Sequence, residues 1–233
     1  MKILCIIPAR SGSKEIKHKN IKLFNGIPLL VWSIRQAKKS KFNMNIIVST
    51  DNKEYKQIAE KNGAQVPFLR PTRISQDLST DFEFIKHCLD WLKQNNKILP
   101  DIILQLRPTQ PCRKVEDIDK CLDLFIENYN EYSSLRTIIP LNKSPYKMYK
   151  IENNILEPLF KNYKNINEPY NQCRQLLPQC YLHNGYIDIC KSSIIENNTI
   201  SGNKIFPYVM DKDDTIDIDT IEDWYKAEVK LRV

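Results

Sequence analysis

A polar loop that carries hydroxyl, amide and cationic side chains follows the first apolar run of the chain. The loop reads Pro8-Ala9-Arg10-Ser11-Gly12-Ser13-Lys14 and continues to Lys19 and Asn20. It leaves a predicted buried strand at its carboxyl end, where open α/β sheets bind their ligands. Such donors suit a polyphosphate, although the loop has neither the Walker A nor the G-x-G-x-x-G spacing. The residues alone leave two interpretations open, a phosphate site or a solvated basic loop.

Two carboxylates with one residue between them form a second candidate site near the end of the chain. These are Asp217 and Asp219 in the run Thr215-Ile216-Asp217-Ile218-Asp219. If this run is a strand, residues i and i+2 point to one side, so both carboxylates can face one divalent cation. The alternative is that the acids only cap the following helix, where acidic residues are favoured. Thr220 with Asp223 is a typical capping signature for that helix.

A stiff turn with two arginines follows another apolar run, which ends at Leu106. The turn reads Arg107-Pro108-Thr109-Gln110-Pro111-Cys112-Arg113. Arg174 and the pair Asn184-Gly185 come later in the chain. Guanidinium groups are planar forks that bind carboxylate or phosphate. Taken singly, each of these arginines is equally typical of a surface salt bridge.

The elements that must position these residues alternate between strand and helix. Apolar runs predict strands over 2–8, 45–49, 65–69, 101–106, 134–141, 185–190, 204–209 and 215–219. Helical spacing predicts helices over 28–39, 53–62, 81–95, 115–128 and 221–230. This alternation predicts an α/β fold, a parallel-rich sheet with helices on both faces.

The alternation stops between residues 142 and 182. This stretch has four prolines, no helical pattern and a possible hairpin over 146–157 that turns at Asn153-Asn154. Its apolar residues, such as Ile151 and Leu159, argue against a flexible linker. We therefore predict a core formed by 1–141 and 183–233, and an ordered insertion over 142–182 that packs against a second subunit.

Composition excludes several classes of protein. The chain has 233 residues, of which 42% are hydrophobic and 27% charged, as in globular domains. Its net charge of +7 is dispersed, which favours a solvated surface or steering of a small anionic substrate over nucleic-acid binding. The longest N-terminal apolar run is too short for a signal peptide or membrane span. Seven cysteines without a C-x-x-C pair indicate reduced thiols and a cytoplasmic location.

Taken together, the motifs resemble those of the CMP-sialic acid synthetase (acylneuraminate cytidylyltransferase) family. The opening loop resembles that family's N-terminal signature, and the turn at 107–113 resembles its Pro-Thr-Ser-Pro-Leu-Arg turn. Arg174-Gln175-Leu176-Leu177-Pro178, Asn184-Gly185 and Asp217-Ile218-Asp219-Thr220 follow in the family's order. The resemblance spans nearly the whole chain. It implies a Rossmann-like nucleotidyltransferase sheet with a small dimerisation insertion.

The resemblance also implies a reaction and a set of roles. CTP and a 2-keto-3-deoxy nine-carbon sugar acid would give the CMP-sugar and pyrophosphate, in a Mg²⁺-dependent homodimer. The implied catalytic residues are Arg10, Lys19, Asp217 and Asp219, the last two being the metal ligands. The implied nucleotide-binding residues are Ala9, Arg10, Ser13, Lys14, Lys19, Asn20, Arg70, Ser79 and Asp81. The implied sugar-binding residues are Arg107, Thr109, Gln110, Lys147, Arg174 and Asn184.

Three departures from the family pattern lie where the sugar would bind. Arg107 stands where many members have Gln, Gln110 stands where they have Ser, and Leu182-His183 stands where the sialic acid enzymes often have an arginine. These departures leave sialic, legionaminic and pseudaminic acids open as substrates. We expect Arg107 to contact the sugar carboxylate; the alternative is that it only pins its turn. A glycosyltransferase of related fold and a non-enzymatic nucleotide-binding module are the competing functions.

Overall fold

The computed structural model describes residues 1–232 and contains twelve strands and five α-helices in that range. The strands are β1 (Ile3–Pro8), β2 (Leu23–Phe24), β3 (Ile27–Pro28), β4 (Met44–Ser49), β5 (Ile102–Gln105), β6 (Ser134–Pro140), β7 (Tyr149–Glu152), β8 (Ile155–Pro158), β9 (Asn162–Tyr163), β10 (Ile166–Asn167), β11 (Tyr181–Lys191) and β12 (Ile205–Val209). The α-helices are α1 (Leu29–Lys39), α2 (Lys53–Lys61), α3 (Asp81–Gln94), α4 (Val115–Glu127) and α5 (Ile221–Arg232).

Six strands form the central sheet in the order β12-β6-β11-β5-β1-β4. β1 runs parallel to β4 and β5, and β12 runs parallel to β6. β11 is antiparallel to both of its neighbours, β5 and β6. As a result, the amino end of β11 lies at the same edge of the sheet as the carboxyl ends of the other five strands. Loops from distant parts of the sequence therefore meet at that edge.

Helices cover both faces of this sheet, which confirms the predicted α/β class. On one face, α1, α2 and α4 pack against alternate β1 residues such as Cys5, with Ile34 and Phe125 fully buried. On the other face, α3 packs Phe84 against Ile6 and its neighbours. Because successive strand residues point to opposite faces, the unbroken apolar run of β1 fills both layers.

Two predicted strands are wrong. Segment 65–69 makes only a single parallel bridge, between Gln65 and Ile47 of β4. Pro67 has no backbone N–H to donate, so the segment cannot extend that pairing into a ladder. Segment 215–219 is not a strand either. Its buried residue, Ile218, packs with Trp224 of α5, so the apolar pattern there reflects helix contact and not sheet pairing.

The insertion contains the predicted hairpin, formed by antiparallel β7 and β8. Asn153 and Asn154 both have positive φ, of 52° and 62°, as a two-residue hairpin turn of this kind requires. β11 begins at Tyr181, inside the predicted range of 142–182. Ile151 is 73% exposed and Ile155 60%, so the hairpin presents apolar side chains to its surroundings. No helix among the described residues combines the length and apolar character needed to cross a membrane.

A buried arginine ties the turn at 107–113 to α1 and β11. Arg113 is only 3% exposed, and burial lowers the pKa of its guanidinium to about 10. It donates to the carbonyl oxygens of Tyr186 at 2.6 Å and Arg107 at 2.8 Å, and to Gln36 Oε1 at 2.8 Å. These neutral acceptors would be left unpaired in the interior without it. Arg113 therefore fixes the backbone from which Arg107 projects.

We predict that Arg113→Met lowers the free energy of unfolding by about 2–4 kcal/mol, because it orphans several buried acceptors. Arg35, on the exposed side of α1, provides the matched control, and Arg35→Met should change stability by less than about 0.5 kcal/mol. Urea denaturation followed by circular dichroism measures both. Equal stability of the two variants would show that the Arg113 network is not needed to hold the turn.

Candidate active site

A cleft of about 490 Å³ lies at the edge of the sheet where the carboxyl ends of the parallel strands meet. Its walls come from the loop after β1, the segment before and at the start of α3, and the turn after β5. Most of the predicted site residues line it, namely Arg10, Ser13, Lys14, Lys19, Asn20, Arg70, Ser79, Asp81, Arg107, Thr109 and Asp219. The cleft therefore brings together residues up to about two hundred positions apart in the sequence.

Hydrogen bonds inside the loop after β1 set its shape. Ser11 donates from both its backbone N–H and its hydroxyl to Asp51, at 2.8 Å each, which ties the loop to the end of β4. Asn20 is nearly buried and donates to the carbonyl oxygen of Arg10 at 2.9 Å. Ala9 is fully buried and its N–H donates to Ser49. The loop is thus anchored at both ends, with Arg10 and Lys14 left facing the cleft.

Both of those cations are paired with one carboxylate across the cleft. Arg10 NH1 lies 2.9 Å from Asp77 Oδ1, and Lys14 Nζ lies 2.5 Å from Asp77 Oδ2. The hydrogen bond from Lys14, followed by the contact with Arg10, lowers the pKa of Asp77 below its ordinary value. Asp77 therefore occupies the position that an anionic ligand of these two side chains would take.

Lys19 joins the loop to the carboxylate pair near the end of the chain. Its Nζ donates to the carbonyl oxygen of Ile218 at 2.8 Å and lies 3.3 Å from Asp219 Oδ1. The Ile218 N–H in turn donates to the carbonyl oxygen of Thr109 at 2.9 Å. Asp219 is largely exposed and faces the cleft. Lys19, Thr109 and Asp219 therefore surround one end of the cleft.

Asp217 lies beside this cluster without lining the cleft. Although much of the residue is exposed, surrounding atoms partly withdraw its carboxylate from water, which raises its pKa above the ordinary value. The charge of Asp219 acts in the same direction, whereas a hydrogen bond with Thr109 opposes it. The two carboxylates therefore repel one another, as expected for a pair that a cation would stabilise.

Arg70 forms the wall on the β4 side. It is 5% exposed, its guanidinium Nε donates to Ser49 Oγ at 3.1 Å, and its backbone N–H donates to Thr50 at 2.7 Å. Burial lowers the pKa of Arg70 to about 10. Ser79 accepts a hydrogen bond from the Gln76 N–H at 2.9 Å, which orders the segment above it. This wall is therefore held in place by contacts within the protein itself.

Arg107 forms the opposite wall and is held between two carboxylates. Its NH2 lies 2.5 Å from Asp81 Oδ2, at the start of α3, and its NH1 donates to Asp188 of β11. Asp81 also accepts a hydrogen bond from Gln105 at 2.9 Å. Arg107 thus pins its turn, as the alternative interpretation expected, while the same side chain faces the cleft.

The other predicted site residues lie outside the cleft in this chain. Gln110 is 1% exposed and donates to the carbonyl oxygen of Asn184 at 2.9 Å. Asn184 Oδ1 accepts a hydrogen bond from Thr137 at 2.6 Å, within the bulge of β11. Lys147 and Arg174 are exposed in the insertion, and Arg174 lines a separate pocket of about 360 Å³. The structure therefore does not bring Lys147 and Arg174 to the cleft of their own chain.

Two carboxylates in and beside the cleft, Asp77 and Asp188, were not among the predicted site residues. Asp77 stands in a polar loop with nothing in its neighbourhood to mark it. Asp188 did leave a signal, because a carboxylate inside the apolar run Tyr186-Ile187-Asp188-Ile189 must find buried partners. Those partners, Arg107 and Arg136, are distant in the sequence and could not be inferred from it.

The fold is shared with a known nucleotidyltransferase. A solved structure of CMP:2-keto-3-deoxy-manno-octonic acid synthetase complexed with CTP matches with a TM-score of 0.71, over 100% of this chain and 99% of that one. Sequence identity is only 14%, so this match concerns the fold. It confirms the predicted architecture, a nucleotidyltransferase-type sheet with helices on both faces.

Sequence comparisons define the family. The profile of the cytidylyltransferase family matches residues 4–188. The chain is 34% identical to CMP-N,N'-diacetyllegionaminic acid synthase of Legionella pneumophila, over 98% of this chain and 95% of that protein. It is 30% identical to pseudaminic acid cytidylyltransferase of Campylobacter jejuni, over 100% of this chain and 97% of that protein. The chain belongs to the cytidylyltransferase family and is a nucleotidyltransferase.

Proposed function

We propose that the protein transfers the cytidylyl group of CTP to a 2-keto-3-deoxy nine-carbon sugar acid, giving the CMP-sugar and pyrophosphate. The observation that carries this proposal is the convergence of Arg10, Lys14 and Lys19 at one side of a cleft whose other side holds Arg107. The two named relatives act on legionaminic and pseudaminic acids, so they support the class of acid and leave its identity to experiment.

The proposed nucleotide-binding residues form two groups in the cleft. Arg10, Ser13, Lys14, Lys19 and Asn20 line the part of the cleft above β1, where their donors would bind the triphosphate. Arg70, Ser79 and Asp81 line the part nearer α3 and would contact the nucleoside. Ala9 contributes by shaping the start of the loop, since its side chain is fully buried.

On the sugar side, Arg107 and Thr109 face the cleft and would contact the acid directly. Gln110 and Asn184 support that wall through their mutual hydrogen bond. We further propose a homodimer, because the β7–β8 hairpin exposes large apolar side chains such as Ile151 and Leu156. In such a dimer, Lys147 and Arg174 would reach the partner's cleft.

In the proposed reaction, the anomeric oxygen of the sugar acid forms a bond to the α-phosphorus as the bond to pyrophosphate breaks. The protein contributes position and charge, and no covalent intermediate is required. Lys19 holds its ammonium group against Asp219 and the cleft, with only 14% of its side chain exposed. It is placed to stabilise negative charge on the phosphates as it develops.

We propose Mg²⁺ as the cofactor, with Asp217 and Asp219 as its protein ligands. Partial burial raises the pKa of Asp217 and the charge of Asp219 adds to this effect, which a divalent cation between the two carboxylates would offset. Magnesium is commonly bound by one or two carboxylates together with substrate phosphates. The cleft is lined by five basic and four acidic side chains, so its own net positive charge is too small to balance a triphosphate. When bound, the ion would neutralise part of the remaining phosphate charge.

A cytoplasmic location remains part of this proposal. All seven cysteines are free, and five of them are buried as core filler. Free thiols of this kind are typical of proteins kept in a reducing compartment.

The proposed function is tested with CTP, Mg²⁺ and a panel of sugar acids that includes sialic, legionaminic, pseudaminic and eight-carbon acids. We expect pyrophosphate release and a CMP-sugar product with at least one nine-carbon acid. Release that requires both CTP and the acid separates this activity from a glycosyltransferase, which would consume a nucleotide-sugar donor. Absence of product with every acid would contradict the proposal.

The metal assignment predicts that Asp219→Ala abolishes turnover and leaves the fold intact, because this carboxylate is 73% exposed. Glu222→Ala removes another exposed acid nearby and is the matched control. Pyrophosphate release across a Mg²⁺ titration, together with thermal melting, gives both readouts. Near-normal rates in Asp219→Ala would remove the assignment.

The pairing of Asp77 with both loop cations predicts a change in nucleotide affinity. CTP must displace this carboxylate, so Asp77→Asn should lower the KM for CTP about two- to fivefold, the range expected for partly exposed ion pairs. Asp90→Asn, which breaks the Lys86 pair on α3, should leave that KM unchanged. A raised KM in Asp77→Asn would mean that Asp77 instead holds Arg10 and Lys14 in their binding positions.

A further inference from the structure

The most completely buried carboxylate beside the cleft belongs to Asp188, whose side chain is 2% exposed. It lies on β11 just after a bulge, where the pairing with β6 shifts between His183 and Asp188. Three basic side chains surround it. His183 Nε2 lies 2.6 Å and Arg136 NH1 3.1 Å from Oδ1, while Arg107 NH1 donates to Oδ2.

These contacts keep Asp188 ionised. Burial by itself would raise the pKa of this carboxyl, but the hydrogen bond with His183 and the charges of Arg107 and Arg136 bring the pKa well below its ordinary value. An ionised carboxylate in the interior is tolerated only with such compensation. The position of each partner is therefore tied to that of Asp188.

Two of these partners, Arg107 and His183, also reach the surface. Arg107 lines the cleft, and 43% of the His183 side chain is exposed. The Nε2 of His183 faces Asp188, and Nδ1 points away from it. Nδ1 makes no hydrogen bond within residues 1–232. Arg107 and His183 therefore present polar nitrogen atoms side by side.

Gly185, in the bulge of β11, packs against Arg107. Gly185 has a φ of +63°, and its carbonyl oxygen accepts a hydrogen bond from Arg107 NH1 at 3.3 Å. A Cβ on this residue would lie only 3.1 Å from that nitrogen. Glycine thus allows Arg107 to pack against the bulge while Asp188 holds its terminal nitrogen.

The order of the strands shows on which side of the cleft the pair lies. The loop that carries Arg10 follows β1. The turn that carries Arg107 follows the adjacent strand, β5, and His183 lies on β11, the next strand of the sheet. Arg107 therefore lies between Arg10 and His183, and His183 is the residue farthest from the proposed nucleotide side. A sugar acid next to the α-phosphate would extend in this direction.

We propose that Asp188 is a positioning residue for sugar recognition, holding Arg107 and His183 as one wall that contacts the polar substituents of the acid. This inference rests on the proposed function. Arg107 donates to oxygen atoms of the acid, and His183 contacts a polar substituent through Nδ1. Asp188 itself does not touch the substrate.

The test uses the full-length enzyme with CTP and the best acid of the panel. Asp188→Asn keeps the size of the side chain and removes its charge. We expect the KM for the acid to rise at least tenfold and the KM for CTP to change less than twofold. Asp117→Asn is the matched control. Asp117 lies on α4, on the other face of the sheet, and accepts a hydrogen bond from the Tyr186 hydroxyl. It should change neither KM.

A triple variant separates positioning from a general structural effect. If Asp188 acts through its two partners, Asp188→Asn should add less than twofold to the acid KM of an Arg107→Gln/His183→Ala enzyme. If Asp188→Asn does not fold, His183→Ala alone decides, since its exposed ring can be removed without loss of the core. That variant should raise the acid KM at least fivefold.

Two results would overturn the inference, namely an unchanged acid KM in folded Asp188→Asn or His183→Ala, or a full effect of Asp188→Asn in the double-variant background. The same assay distinguishes failure of the proposed function from failure of the role inferred for Asp188. A wild-type enzyme that makes no CMP-sugar with any acid refutes the proposed function. A wild-type enzyme that makes product, with variants that keep its acid KM, refutes only the role of Asp188.

Discussion

The negative charge of Asp188 must be balanced inside the protein, and this requirement connects the elements around one side of the cleft. Its partners come from the turn after β5, from β6 and from the amino end of β11. Arg107 extends the connection to Asp81 at the start of α3. Because an uncompensated buried charge is costly, none of these elements can move independently. The wall of the cleft is thus built as a unit.

The two sides of the cleft differ in how their charges are satisfied. On one side, Arg107 is held between two carboxylates and is 22% exposed, so its position is set before a substrate binds. On the other side, Arg10 and Lys14 share the partly exposed Asp77, a pairing that water screens and an anion can replace. A preorganised wall facing an exchangeable ion pair suits an enzyme that must select one substrate and release an anionic product.

Local features of the fold were predictable from the sequence, whereas contacts between distant segments were not. The Asn153-Asn154 turn forms the predicted hairpin, because its geometry depends on neighbouring residues. The apolar run at 215–219 was misread, since burial of Ile218 under α5 resembles a strand in sequence. The loop after β1 is recognisable as one contiguous motif. Asp77, and the distant partners of Asp188, became visible only through contacts that folding creates.

The most direct test of this account is a crystal structure of the enzyme with CTP and a slowly reacting sugar acid. We expect triphosphate oxygens within hydrogen-bond distance of Arg10 and Lys19, with Asp77 displaced from both loop cations. The acid should lie against Arg107 and His183, with the Asp188 contacts unchanged. A triphosphate bound elsewhere, with the Arg10–Asp77 and Lys14–Asp77 pairs intact, would contradict the central claim that this edge of the sheet is the active site.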